Sequence, residues 1–109
     1  MTDSAATQLA HNVFFTLKDD SPAARETLIA SCRQYLTEHP GTSFFSVGPL
    51  TPDLDRPVND RAFSVGLHVI FEDRAAHDAY QVSDRHLQFI AENKESWENV
   101  RVFDTDSRS

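Results

Sequence analysis

The sequence predicts an α+β fold of the ferredoxin-like kind, a βαββαβ domain with a four-stranded antiparallel sheet, and three observations carry that expectation. Segments with two-residue alternation and segments with helical spacing follow one another as strand, helix, strand, strand, helix pair, strand. The 109 residues suffice for one domain with its own core and fall short of the size at which chains divide. Hydrophobic residues at 39% and charged ones at 25% give an ordinary globular balance. No apolar run approaches the roughly 20 residues that a membrane helix needs.

The first strand is Leu9 to Leu17, where Leu9, His11, Val13, Phe15 and Leu17 share one face and Ala10, Asn12, Phe14 and Thr16 the other. Asp19 and Asp20, the capping Ser21 and the first-turn Pro22 then open a helix whose stripe is Leu28, Cys32, Tyr35, Leu36 and His39. Pro40-Gly41 ends it. Ser43 to Leu50 reads as the second strand, and Thr51 to Asp60 as a polar loop containing proline. Ala62 to Phe71 is the strongest strand, with a greasy face of Phe63, Val65, Leu67, Val69 and Phe71 and a mixed face of Ala62, Ser64, Gly66, His68 and Ile70. Asp73 is placed to cap a helix with Ala76, Ala79 and Tyr80 inward, and Asp84 to cap another with Leu87, Ile90 and Ala91 inward. Trp97 to Phe103 forms the last strand, so the domain is expected over residues 9–104, with disordered tails at 1–8 and 105–109.

Right-handed crossovers put both helical connections on one side of the sheet, which leaves the other side uncovered within one chain. The greasy face of the third strand should take the helices. The mixed face, with Phe14, Ile70 and Phe103, would leave an apolar patch in a monomer, and a symmetric sheet-to-sheet homodimer is the simplest way to bury it. A net charge of −7 with no basic cluster argues against nucleic acid and against anionic membranes as partners. The first residues have no basic residue before Lys18, unlike a secretory or transit signal, so the expected location is the cytoplasm. The single cysteine, Cys32, forms no intrachain disulfide and reads as a buried small side chain.

Three stretches, AHNVFFTLK, HVIFEDRAAHDAYQVSDRH and WENVRVFD, resemble the stress-responsive dimeric α+β barrel (Dabb) family over Leu9 to Asp104. The resemblance implies that two four-stranded sheets face each other as a barrel, in agreement with the cover argument. Cyclases of this family carry a tyrosine followed by a His-Pro-x-His run, the last histidine acting as base and the tyrosine polarising substrate. Tyr80 and His86 match those two positions, whereas Ser83 and Asp84 replace the first histidine and the proline. His11 and Trp97 match a further cavity histidine and a cavity tryptophan, and Val65 stands where those cyclases have another histidine.

The residues themselves suit that chemistry. Neutral histidine is the side chain whose pKa meets an enol-forming step with least tuning, which makes His86 the candidate base. The Tyr80 hydroxyl could donate to a developing enolate oxygen in a dry pocket. One reading is therefore a cofactor-free cyclase or isomerase acting on a small apolar carbonyl compound, with catalytic His86, Tyr80 and His11 in a hollow lined by Leu28, Cys32, Tyr35, Val65, Leu67 and Trp97. The alternative is a non-catalytic dimer that binds a small hydrophobic ligand or persists as a stress protein, with Tyr80 and His86 as packing residues. Bulky side chains filling the space between His11, Tyr80 and His86 would decide for the alternative. His68 should face the dimer side, and His39 and His77 read as ordinary helix residues. No metal or other cofactor is expected. The histidines show no ligand spacing, the acidic loop of Asp53, Asp55 and Asp60 lacks the glycine and final glutamate of a calcium loop, and no Gly-rich phosphate cradle is present.

Overall fold

The computed structural model describes residues 7–108; of the tail expected over 1–8, residues 1–6 lie outside the described residues, as does Ser109, whereas Gln8 already belongs to the first strand rather than to a disordered tail. The strands are β1 (Gln8–Leu17), β2 (Thr42–Pro49), β3 (Val65–Phe71) and β4 (Trp97–Ser107); the helices are α1 (Pro22–Leu36), α2 (Arg74–Val82) and α3 (Asp84–Asn93). All strand pairs are antiparallel, in the order β2-β3-β1-β4. This is the expected ferredoxin-like βαββαβ sheet, with the helical connections on one side. No helix among the described residues is long and apolar enough to cross a membrane.

The alternation of β1 translates directly into burial, with Leu9, His11, Val13, Phe15 and Leu17 all inward. Val65, Leu67, Val69 and Phe71 of β3 lie beside them, shielded from solvent by Leu28, Ile29, Cys32 and Leu36 of α1 and Phe89 of α3. Truncating a fully enclosed ring such as Phe71 would cost about 3–5 kcal/mol. Phe63 departs from the expected greasy face. The chain bends at Ser64, whose N–H donates to the Phe15 carbonyl at 2.7 Å and whose hydroxyl accepts from the Leu17 N–H at 3.0 Å. The bend throws Phe63 onto the other face of the sheet, edge-on to Phe14 at 5.0 Å.

Helix ends follow the sequence signals at Ser21, which accepts from the Ala24 N–H, and at Asp73, which accepts from the Ala76 N–H. For α3 the cap is Ser83 rather than Asp84. This sets the inward stripe at His86, Phe89, Ile90 and Asn93, the i, i+3, i+4, i+7 row, and leaves Leu87 and Ala91 exposed. On α2, Tyr80 is buried, Ala79 is exposed, and His77 turns inward, with its side chain only 14% accessible. His39 also departs from the reading as a helix residue. Helix α1 stops at Leu36, and His39 sits buried beyond it with Nε2 2.7 Å from the Tyr35 carbonyl. Gly41, at φ +83°, returns the chain into β2 so closely under Ala76 that a Cβ would lie 2.4 Å from the alanine methyl.

Strand β4 runs past the domain end expected at Asp104 to Ser107, because β1 extends far enough to pair Gln8 with Ser107. The side of the sheet without helices carries Phe14, Phe44, Ile70 and Phe103, with Phe44 and Phe103 half exposed. His68 lies on that side, as expected, and bonds within its own chain to Asn12 at 2.8 Å.

Candidate active site

The helices lie over β2, β3 and β1 and stop short of β4, so Val100 and Val102 stay accessible on the covered side of the sheet. Beneath α2 and α3 this leaves a cavity of about 170 Å³ bounded by His11, Leu67, Tyr80, Gln81, His86 and Trp97 among others. His11, Tyr80 and His86 all border it.

His11 stands at the middle of β1, between Val69 of β3 and Asp104 of β4. The β1–β4 register puts the Asp104 carboxylate 2.6 Å from His11 Nδ1, and the Gln81 side-chain nitrogen lies 3.5 Å from Nε2. A carboxylate can only accept, so Nδ1 carries the proton and Nε2 presents a lone pair. Burial pushes the His11 pKa down, and the bond and charge of Asp104 oppose that shift.

Tyr80 ends α2 and His86 begins α3, and Ser83 joins the two helices. The Ser83 hydroxyl donates to the Tyr80 carbonyl at 2.9 Å and accepts from the His86 N–H at 3.2 Å. The two rings consequently meet with centroids 4.7 Å apart. Burial holds the Tyr80 phenol well above its usual pKa, so at neutral pH it is a proton donor. Burial first, and then the neighbouring His11 and His39, push His86 down to about 4, which keeps its imidazole neutral. Its Nδ1 is buried without a hydrogen-bond partner, as is Trp97 Nε1.

Of the hydrophobic side chains expected around the hollow, Leu67 and Trp97 line it. Leu28, Cys32 and Val65 are sealed in the core, and Tyr35 points its hydroxyl to Glu92 at 2.6 Å. The reason is that α1 packs on β2 and β3 and reaches the gap only with its last residue, Leu36. Asp104, Gln81 and His77 are site residues that sequence reasoning missed. His77, Tyr80 and Gln81 do share the i, i+3, i+4 spacing of one α2 face, which was a usable signal. Asp104 required the β1–β4 register.

Comparison with known proteins follows the same lines. The family model for the stress responsive A/B barrel domain (Dabb) matches residues 9–107. No curated protein sequence matches the chain. Among solved structures, a hydroxynitrile lyase from Passiflora edulis is similar at TM-score 0.75 and 21% identity, covering 95% of this chain and 96% of that one. A Dabb family protein with a ferredoxin-like fold from Mesorhizobium loti is similar at TM-score 0.75 and 21% identity, covering 94% and 99%. A dimeric ferredoxin-like protein of unknown function from Jannaschia sp. CCS1 gives TM-score 0.72 and 24% identity, covering 92% and 99%. With nearly the whole chain inside the family match and the predicted topology in place, the protein belongs to the stress-responsive α+β barrel (Dabb) family.

Proposed function

We propose that the protein is a cofactor-free acid–base enzyme of the cyclase, isomerase or lyase kind, acting on a small apolar carbonyl compound. The observation that carries this reading is the His11–Asp104 pair, whose imidazole borders the same cavity as Tyr80 and His86. The base role expected of His86 is better filled by His11. A base works best with a pKa near the working pH; burial lowers both rings, but at His11 the bond and charge of Asp104 oppose that shift, whereas His86 is held neutral down to about 4.

In this mechanism His11 Nε2 takes a proton from the carbon next to the carbonyl, the C–H electron pair becomes a C=C bond as the carbonyl π pair moves to the oxygen, and the Tyr80 hydroxyl donates a hydrogen bond to the enolate. The enolate carbon is then reprotonated by the His11 imidazolium, or it attacks a second carbonyl carbon of the substrate, whose π pair becomes an alkoxide that takes the imidazolium proton; both routes return neutral His11. Asp104 keeps the ring in the tautomer that makes this possible. At about 170 Å³ the cavity is below the roughly 300 Å³ where pockets for drug-sized ligands begin, which favours a small substrate. The fold shared with a hydroxynitrile lyase supports including small carbonyl and cyanohydrin compounds in the screen.

The test is a turnover screen of such compounds with the protein and with His11→Ala. Loss of turnover by about 100-fold or more in the variant is expected from removal of a general base. Equal turnover would eliminate His11 as the base. The non-catalytic reading is favoured by one feature, the mainly apolar cavity wall with Val13, Phe15, Leu67, Phe89 and Ile90, which suits a small apolar guest whether or not it reacts. Saturable binding with no turnover of any carbonyl compound would decide for it.

The exposed apolar side with Phe14, Phe44, Ile70 and Phe103 supports pairing with a second copy, sheet to sheet, as a barrel-like homodimer. Similar structures described as dimeric, from Thermobifida fusca and Jannaschia sp. CCS1, support the same assembly.

A further inference from the structure

We propose that His11 and His77 form a binding site for a divalent transition-metal ion at the rim of the cavity. One donor atom from each of His11, His77 and Asp104 lies within 4.8 Å of the others. The arrangement behind those atoms is more telling than their proximity. His11 Nδ1 bonds Asp104 at 2.6 Å and His77 Nδ1 bonds Asp78 at 2.9 Å, so each ring has a carboxylate at its back. Each Nε2 consequently offers a lone pair, and the two lone pairs converge on one atom, the Gln81 side-chain nitrogen, at 3.5 and 3.4 Å. Those separations are longer than ordinary hydrogen bonds, so the amide satisfies neither ring well.

Carboxylate-backed histidines with free Nε2 atoms are the arrangement that holds metal-binding imidazoles in other proteins. The rings stand edge to face with centroids 5.2 Å apart. An ion with metal–nitrogen bonds of about 2.0–2.1 Å fits between them after a small closure of His77 on α2. Turning the Gln81 amide about its last bond brings Oε1 to the place of its nitrogen and supplies a third donor. Two imidazoles and an amide oxygen select zinc, copper or nickel over calcium or magnesium. The ion would occupy the lone pair that His11 uses as a base, but the site stands on its own geometry and does not depend on any turnover in the cavity.

Tag-free protein stripped with chelator is titrated with Zn2+ by calorimetry and with Cu2+ by electron paramagnetic resonance. One ion per chain is expected, with nitrogen couplings from two imidazoles in the copper spectrum. His77→Ala should bind at least about tenfold more weakly and lose one coupling, with its fold checked by circular dichroism. Asp78→Asn, at an exposed position, should weaken binding by about tenfold and carries the test if the His77 variant does not fold. No saturable uptake of either ion, or the same affinity in the folded variant, would overturn the proposal.

Discussion

Replacing His86 with leucine should remove a defined part of the protein's acid sensitivity. In an unfolded chain this ring takes up a proton as pH falls through 6.5, whereas in the folded protein it resists until about 4. Between those values the unfolded state holds more protons, so stability contributed by the neutral ring is complete above 6.5 and is lost as pH falls toward 4. At about 1.4 kcal/mol per factor of ten in proton affinity, the gap corresponds to roughly 3 kcal/mol. The ring borders the cavity and is only partly shielded, so screening reduces the expected loss to about 1–2 kcal/mol. Urea unfolding of both proteins at about pH 7.5 and about pH 4.5, at one fixed protein concentration, isolates the effect. The native protein should lose about 1–2 kcal/mol more than His86→Leu across that interval. Parallel losses would show that the ring is solvated in the folded state and refute the burial argument.

Other perturbations follow from equally local features. Gly41→Ala forces a methyl into Ala76 at a left-handed backbone position and should cost about 1–3 kcal/mol, read from the urea midpoint. Ser83→Ala removes the cap that joins α2 and α3, with an expected loss of about 1–2 kcal/mol by the same measurement. Burial pushes the Cys32 thiol up to about 12, so a thiol reagent at neutral pH should modify it only at the rate of unfolding, and immediate labelling would contradict its place in the core. Light scattering should give twice the chain mass, and Phe103→Asp on the open side should shift it to the monomer mass.

The fold was legible because alternation in β1 and β3 and the caps at Ser21 and Asp73 are local properties, and burial then followed the pattern residue by residue. Phe63 misled because the bend at Ser64 depends on bonds to Phe15 and Leu17, far away in sequence. The helix pair misled because Ser83 and Asp84 are both good caps, and choosing between them rotates the inward stripe of α3. At the site, His11, Tyr80 and His86 could be named, but their partners could not. Asp104 reaches His11 only through strand register, and His77 and Gln81 turn inward only because α2 docks against β1 and β3.

The one-residue joint at Ser83 has a consequence for how this cavity can diversify. Because α3 starts directly from that hydroxyl, adding a residue at the joint would turn the whole helix by about 100° and bring Arg85 to where His86 stands. A guanidinium would then press against the apolar wall of Val13, Phe15, Leu67 and Phe89. The length of the joint, and with it the number of residues between the two facing rings, is therefore held by the geometry of the helix pair.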